Sequence, residues 1–375
     1  MDFALSEEQQ AIVELGTQIL SDMCAPERLR EIEAGIDWFH DDLWAELAKA
    51  GLLGIALPES VGGGGFGFLE ACLLFERQGR SVAPIPLVST MVASLTIAEF
   101  GSPDQQQAWL PAVINGDKIL TVALSEIGSG PRDPQLGVVP EAGGWVLTGT
   151  KTAVPAAHLS SAIIVPARDP GGAVRLFIVP TNTDGLTITR QDTFNHEPQF
   201  HLEFTGVVVG PEAELVGTTA SGQAPIDWIV DRSIVGLCAN AAGVSDAGMR
   251  LTASYVIERK QFDRAIGTFQ AVGHRMADCY IDNEVIRLSM LQSASLLGQG
   301  APADAEVSVA KYWASYSGSR IGHAVLHLHG GISIDLDYPA HRYFLWAKQI
   351  EFQLGGAAPH LARIGGFLAD TPVSA

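Results

Sequence analysis

The sequence predicts an α+β fold with a helical start, a β-rich middle and a long helical tail. Three observations predict it. Apolar residues recur at helical spacing up to about residue 118. Short runs rich in β-branched residues, separated by turn clusters, then follow, and from about residue 225 the 3.6 period returns over long stretches. A chain of 375 residues exceeds what one core holds. The expected organisation is an N-terminal α-helical domain (1–118), a middle β-barrel or sandwich (119–222) and a C-terminal four-helix bundle (223–375).

The first helix starts at Ser6, which with Gln9 forms a capping-box pattern ahead of Ile12, Leu15, Ile19 and Met23. Leu43, Leu47, Leu52 and Leu53 mark a second amphipathic segment that ends at Gly54 and Pro58. The glycines at 62–65 form a loop, because such a run does not hold a helix. Leu69–Arg77 and Met91–Phe100 resume helical patterning. Strands are expected at Ile119–Leu124, Trp145–Thr148, Ala162–Pro166, Val174–Pro180, Leu186–Arg190 and His201–Val209, with turns such as Asp169-Pro170-Gly171-Gly172 between them. The tail reads as four helices, Pro225–Arg259, Thr268–Leu297, Asp304–Leu328 and Tyr338–Phe367. The first spans ~50 Å at ~1.5 Å per residue.

Composition narrows the function. Hydrophobic residues make up 47% and charged residues 17%, so a large buried fraction is expected and disorder is not. The formal charge of −19 argues against a nucleic-acid surface, which needs clustered Lys and Arg, yet leaves room for a local basic pocket. The four cysteines have no CxxC spacing and sit in apolar stretches, so neither disulfides nor a metal site is expected. No apolar run approaches ~18 residues and no signal-peptide pattern opens the chain. A soluble, cytoplasmic protein without a membrane segment is expected.

Several motifs stand in a telling order. Glu258-Arg259-Lys260-Gln261-Phe262 is followed by Phe269-Gln270, and His329-Gly330-Gly331 by Asp337-Tyr338-Pro339 and Ala347-Lys348. With the opening Met1-Asp2-Phe3, the stretch from Leu43 to Gly63 and the α–β–α order, this pattern resembles the acyl-CoA dehydrogenases over nearly the whole chain. The resemblance implies FAD as cofactor, an acyl-CoA thioester as substrate, and an electron-transfer flavoprotein or similar acceptor as partner. In that family the flavin ring lies between the β domain and the bundle, and its diphosphate reaches a neighbouring subunit. Arg259 matches the diphosphate position, where a fixed charge with forked donors suits phosphate. Gly330 and Gly331 match backbone that approaches an anion closely. Gln261, Phe262, Phe269, Gln270 and His327 complete the implied cofactor-binding set.

The departures are as informative. Removing two hydrogens across Cα–Cβ of a thioester needs a base for the α-proton. Where the family carries a Glu before a Gly, this sequence carries Leu354 before Gly355-Gly356. Leucine accepts no proton. Members with the base on the first bundle helix place it where Ser233 stands, with Asp231 about half a turn earlier and Asn240 one to two turns later. Glu351 and Asp231 are the acids weighed near these positions, and each has a plainer reading, Glu351 as an exposed helical acid and Asp231 as a solvated partner of Arg232.

On the β side, Pro131 and Arg132 replace the family's Ser and Asp after Ser125-Glu126. The strand Gly149-Thr150-Lys151-Thr152-Ala153-Val154-Pro155 lacks the Trp and hydroxyl that would meet the ring, and Pro155 lacks an N–H. His327 stands for the usual Gln, and Asp263 for a Gly. Features lent to a neighbour's flavin are mostly kept, and those that serve the chain's own ring are mostly lost. That pattern implies a base-deficient subunit of a two-gene α2β2 enzyme, paired with a homologous subunit and acting on a bulky, steroid-type CoA thioester. Two other readings stay open: a self-sufficient homotetramer with a relocated acid, and a non-catalytic scaffold or CoA-ester binding protein.

Overall fold

The computed structural model describes residues 4–217 and 224–370. Six helices come first: α1 (Glu7–Met23), α2 (Pro26–Glu33), α3 (Asp41–Lys49), α4 (Phe68–Ser81), α5 (Leu87–Phe100) and α6 (Pro103–Ile114). The capping box at Ser6 forms as expected, Ser6 Oγ accepting from Gln9 N at 3.2 Å and Gln9 Oε1 from Ser6 N at 3.0 Å. A second one, between Ser102 and Gln105 with Pro103 at the first helical position, starts α6.

Eight strands follow: β1 (Leu120–Val122), β2 (Gly137–Glu141), β3 (Gly144–Pro155), β4 (Ala162–Arg168), β5 (Val174–Pro180), β6 (Leu186–Gln191), β7 (Gln199–Val209) and β8 (Glu214–Leu215). They form one mixed sheet in the order β6-β7-β3-β2-β4-β5-β8, with β1 parallel to β4. β4 is buried on both faces up to its last residue, which suits its unbroken apolar run, whereas β7 largely alternates. Leu147, Val165, Phe177, Leu202 and Phe204 are core residues of this sheet. β3 runs well past the expected Thr148 because two irregularities, at Leu147/Gly149 and Lys151/Val154, bend it while it keeps pairing with β7.

The tail holds α7 (Pro225–Glu258), a two-residue hairpin of β9 (Lys260–Gln261) and β10 (Arg264–Ala265), α8 (Gln270–Gly298), α9 (Asp304–His329), α10 (Ala340–Phe352) and α11 (Ala357–Asp370). α9 packs against α8, α10 and α11. The expected single helix Tyr338–Phe367 is two helices. The break has a local cause: Leu354 and Gly355 take φ of 54° and 98°, values that no right-handed helix contains.

The chain divides into two compact units. One comprises the start of the chain to Glu31, Cys72–Ala83 and everything from Ile234 on. The other comprises Ile32–Ala71 and Pro84–Ser233. In the first unit α4 and α7 touch backbone to backbone. A Cβ on Gly79 would lie 2.0 Å from Asn240 O, and one on Gly243 1.9 Å from Glu76 O, so both positions require glycine. Among the described residues no helix is long and apolar enough to cross a membrane.

Candidate active site

The break between α10 and α11 is held from beneath by a buried lysine. Lys311 of α9 is fully buried and donates to Ile350 O (2.7 Å), Glu351 O (3.2 Å) and Ser315 Oγ (2.9 Å). Two of these acceptors are last-turn carbonyls of α10, which have no partner within the helix. A cation there also meets the negative end of the helix dipole. Burial pushes the Lys311 ammonium down to about 8, with Cys238 and Glu351 opposing. Three residues beyond Glu351, Leu354 turns the chain in the left-handed region. Its apolar side chain provides no proton acceptor. Glu351 is half-buried rather than exposed, and its carboxylate lies 2.6 Å from Lys348 Nζ.

Asp231 corrects a sequence expectation. It is 1% exposed, not solvated, and pairs with Arg132 from the loop before β2, 99 positions away in sequence. Arg132 also reaches Asp227 Oδ1 at 2.8 Å. Burial opposes the Arg132 charge, but Asp231 and Asp227 outweigh it and raise its pKa. The neighbouring Arg232 lays its guanidinium 3.6 Å from the centre of the Trp228 ring. Asn240 is buried against Gly79, facing the backbone of α4.

The loop 125–136 is knitted by Glu126. Its carboxylate receives Lys151 Nζ (2.5 Å), Gln135 N (2.7 Å) and Leu136 N (3.2 Å). Burial raises the Glu126 pKa, and the Lys151 charge and these hydrogen bonds more than reverse it, so it sits below its usual value. On β3, Ala153 takes φ of 50° and gives its N–H to Gln191 Oε1 at 2.9 Å, which the Thr152 hydroxyl also reaches. The donors on this part of the sheet are therefore already spent on protein acceptors. With Arg132 neutralised by two aspartates, this surface does not fit a flavin ring well.

The corner formed by the ends of α7 and α9 differs. Tyr255 Oη donates to His329 O at 3.3 Å, and its ring packs on the His329 ring, tilted by 31° with centroids 4.5 Å apart. Arg259 stands one turn beyond Tyr255, and Gly330 directly follows His329. The Arg259 side chain is exposed and has no ion-pair partner among the described residues. Gly330 takes φ 64° and ψ −141°, open only to glycine, and a Cβ on Gly330 or Gly331 would meet nothing within 4 Å. Gly330 gives its own N–H to Leu326 O, so the donor here that fits a diphosphate is the exposed Arg259 guanidinium, with no Cβ at Gly330 or Gly331 to crowd the approach. His327 is exposed on the last turn of α9.

The β9–β10 hairpin projects from the same α7 end. Its two turn residues, Phe262 and Asp263, have φ of 52° and 63°, which two-residue hairpins demand and which Asn and Gly usually supply. Phe262 is 86% exposed and meets Phe269 edge-on at 6.2 Å, while Arg264 covers the Phe269 ring at 4.0 Å. Gln261 and Gln270 are exposed on either side. Motif reading passes over Lys311 and takes in His329 only through the His329-Gly330-Gly331 run. A lysine in the apolar run of α9 is the one signal that marks the former.

Comparisons with known proteins agree on what this chain is like. An acyl-CoA dehydrogenase N-terminal domain model matches residues 6–117, and an acyl-CoA dehydrogenase C-terminal domain model matches 226–367. The chain is 40% identical to the acyl-CoA dehydrogenase FadE27 of Mycobacterium tuberculosis over 99% of its own length and all of that protein. It is similar to a chain of the ChsE4–ChsE5 complex from the same organism, with a TM-score of 0.94 and 39% identity over the whole of both chains. A chain of a point variant of the Tcur3481–Tcur3483 steroid ACAD matches with a TM-score of 0.91 and 42% identity over 97% of this chain and 98% of that one.

Proposed function

Since the chain belongs to the acyl-CoA dehydrogenase family, we propose that it is the base-deficient subunit of a two-component FAD-dependent acyl-CoA dehydrogenase. Leu354 carries this reading. It occupies the turn where the family's base is expected, and the nearest acid, Glu351, is held by Lys348. The other candidate, Asp231, is buried in an ion pair with Arg132. Two of the similar structures are two-component assemblies, ChsE4–ChsE5 and Tcur3481–Tcur3483, and the second is a steroid ACAD. We therefore assign a bulky, steroid-type acyl-CoA as substrate and a homologous base-bearing chain as partner.

In this reading Arg259, Gly330 and Gly331 hold the diphosphate of a flavin shared with the partner. Phe262, Phe269 and His327 wall the same corner, and Gln261 and Gln270 offer it polar donors. FAD, when bound, supplies the acceptor for the β-hydride. This chain orients the cofactor and excludes water, and the partner's base takes the α-proton. An electron-transfer flavoprotein or similar acceptor would take the electrons that the bound cofactor collects.

The test is flavin absorbance per chain, with and without a co-expressed homologous partner. Little flavin is expected in the chain alone, and one flavin per pair in the complex. In the complex, Arg259→Ala should lower flavin content while native mass is unchanged. Stoichiometric FAD and acyl-CoA turnover in the lone chain would overturn the proposal.

A further inference from the structure

A second basic feature lies apart from the α7–α9 corner. A cleft of about 260 Å³ opens within the first unit, lined by Thr17 and Ser21 of α1, Arg77, Arg80 and Ser81 of α4, Ala247 and Arg250 of α7, and Tyr343 of α10. Three of its eight lining residues are arginines and none is acidic, in a chain of net charge −19. The glycine contacts of Gly79 and Gly243 bring α4 and α7 close enough for the arginines of both helices to face one space. The volume is well above the roughly 10–15 Å³ that one water needs.

The charges here do not cancel locally. Glu76 is shared by Arg77 and by Arg287, whose Nε lies 3.3 Å away. Asp246 is shared by Arg80 and by Arg250, whose Nε lies 2.9 Å away. Each carboxylate serves two guanidiniums, which leaves two positive charges unbalanced. The Arg77 side chain is only 12% exposed, and its Nε is buried with no acceptor. Burial lowers the Arg77 pKa, Glu76 opposes this, and Arg80 and Arg287 lower it further. Arg77 is the one guanidinium largely withdrawn from water, while Arg80, Arg287 and Arg250 keep 33%, 31% and 65% exposure, so the surplus charge faces an open cleft that an anion can enter. Tyr343 and Ser81 also line the cleft, and neither hydroxyl has a hydrogen bond to a described residue. Fixed guanidinium forks and free hydroxyls are the donor chemistry that recognises a phosphoryl group.

We propose that the cleft between α1, α4, α7 and α10 binds a phosphoryl group, carried either as inorganic phosphate or on a small phosphate ester. The ligand's oxygens take the unspent N–H groups of Arg80 and Arg250 and the Tyr343 hydroxyl, and its charge offsets the surplus. The site shares no residue with the corner assigned above, so it stands or falls separately from that assignment.

The experiment is calorimetric titration of the full-length chain with inorganic phosphate and with AMP, at constant ionic strength set by chloride. Saturable binding of at least one is expected. Arg250→Gln, at a side chain 65% exposed and safe for folding, should weaken it ~10-fold, and Tyr343→Phe several-fold. Phosphate binding as tightly as AMP identifies the free anion, and AMP binding at least ~10-fold tighter identifies an ester. Absence of saturable binding by either ligand, or equal affinity in wild type and both variants, would overturn the proposal.

Discussion

Lys311 brings a titratable group into a fully buried position, and the consequence is measurable. Its pKa is about 8 in the folded chain against 10.5 for a free lysine. Below pH 8 both folded and unfolded chains carry the proton, so this residue adds no pH dependence. Between pH 8 and 10.5 the unfolded chain binds more protons, and stability therefore rises with pH across that window. From pH 7.5 to pH 10 the rise is about 2 kcal/mol. Urea unfolding of wild type and Lys311→Met at both pH values should show the wild type gaining that amount relative to the variant. A constant gap would mean that the ammonium stays charged in the fold. Lys311 also shows what single residues conceal in a sequence. The loss of a carboxylate at Leu354 is readable because a motif surrounds it. The clamp beneath it is not, because its acceptors are backbone carbonyls about 40 positions away. Asp231 carries the same lesson: beside the adjacent Arg232 the fold brings it Arg132, 99 positions away in sequence.

Among the elements, the loop 125–136 and strand β3 are joined by one buried ion pair, Lys151 with Glu126, whose side chains are 0% and 6% exposed. Lys151→Met leaves a buried carboxylate with two backbone amides and the Ser129 hydroxyl and should cost ~3–5 kcal/mol. Adding Glu126→Gln should recover much of that loss, since a neutral amide needs no counter-charge. Because the Glu126 pKa is depressed in the fold, its contribution is complete above about pH 4.5, the unfolded carboxylate range, and falls away as pH drops below it. Chemical unfolding of the single and double variants at pH 7 and pH 4 checks both statements; equal losses in the two variants would show that the pair is not coupled. The elements themselves were readable to different degrees. The capping box of α1 stands out, and the Ser102-Pro103 start of α6 carries the same signature. β2 does not, because its residues from Val139 to Glu141 are mostly exposed and include Pro140. The helical period runs straight across Gln353 to Gly356, so periodicity alone hides the break that Leu354 and Gly355 create.

At the scale of the whole molecule, the α–β–α order was legible because each part has its own period. What the surface is for is less so, since exposure is a product of the fold. Tyr280 and Ile281 of α8 are 58% and 60% exposed, and Leu288, two turns beyond Ile281 on the same face, is 41% exposed. Aligned large apolar side chains on a soluble helix mark a surface that another chain covers. In the proposed two-component enzyme that chain is the partner, and a charge placed there would have to be buried without a counter-ion on assembly. Ile281→Glu should leave the lone chain's stability within ~0.5 kcal/mol, because the position is open to water before assembly. In the co-expressed complex it should shift sedimentation to smaller species, and flavin absorbance should fall with it, since the cofactor is shared across the contact. An unchanged sedimentation profile with full flavin would show that the face of α8 stays exposed in the assembled enzyme.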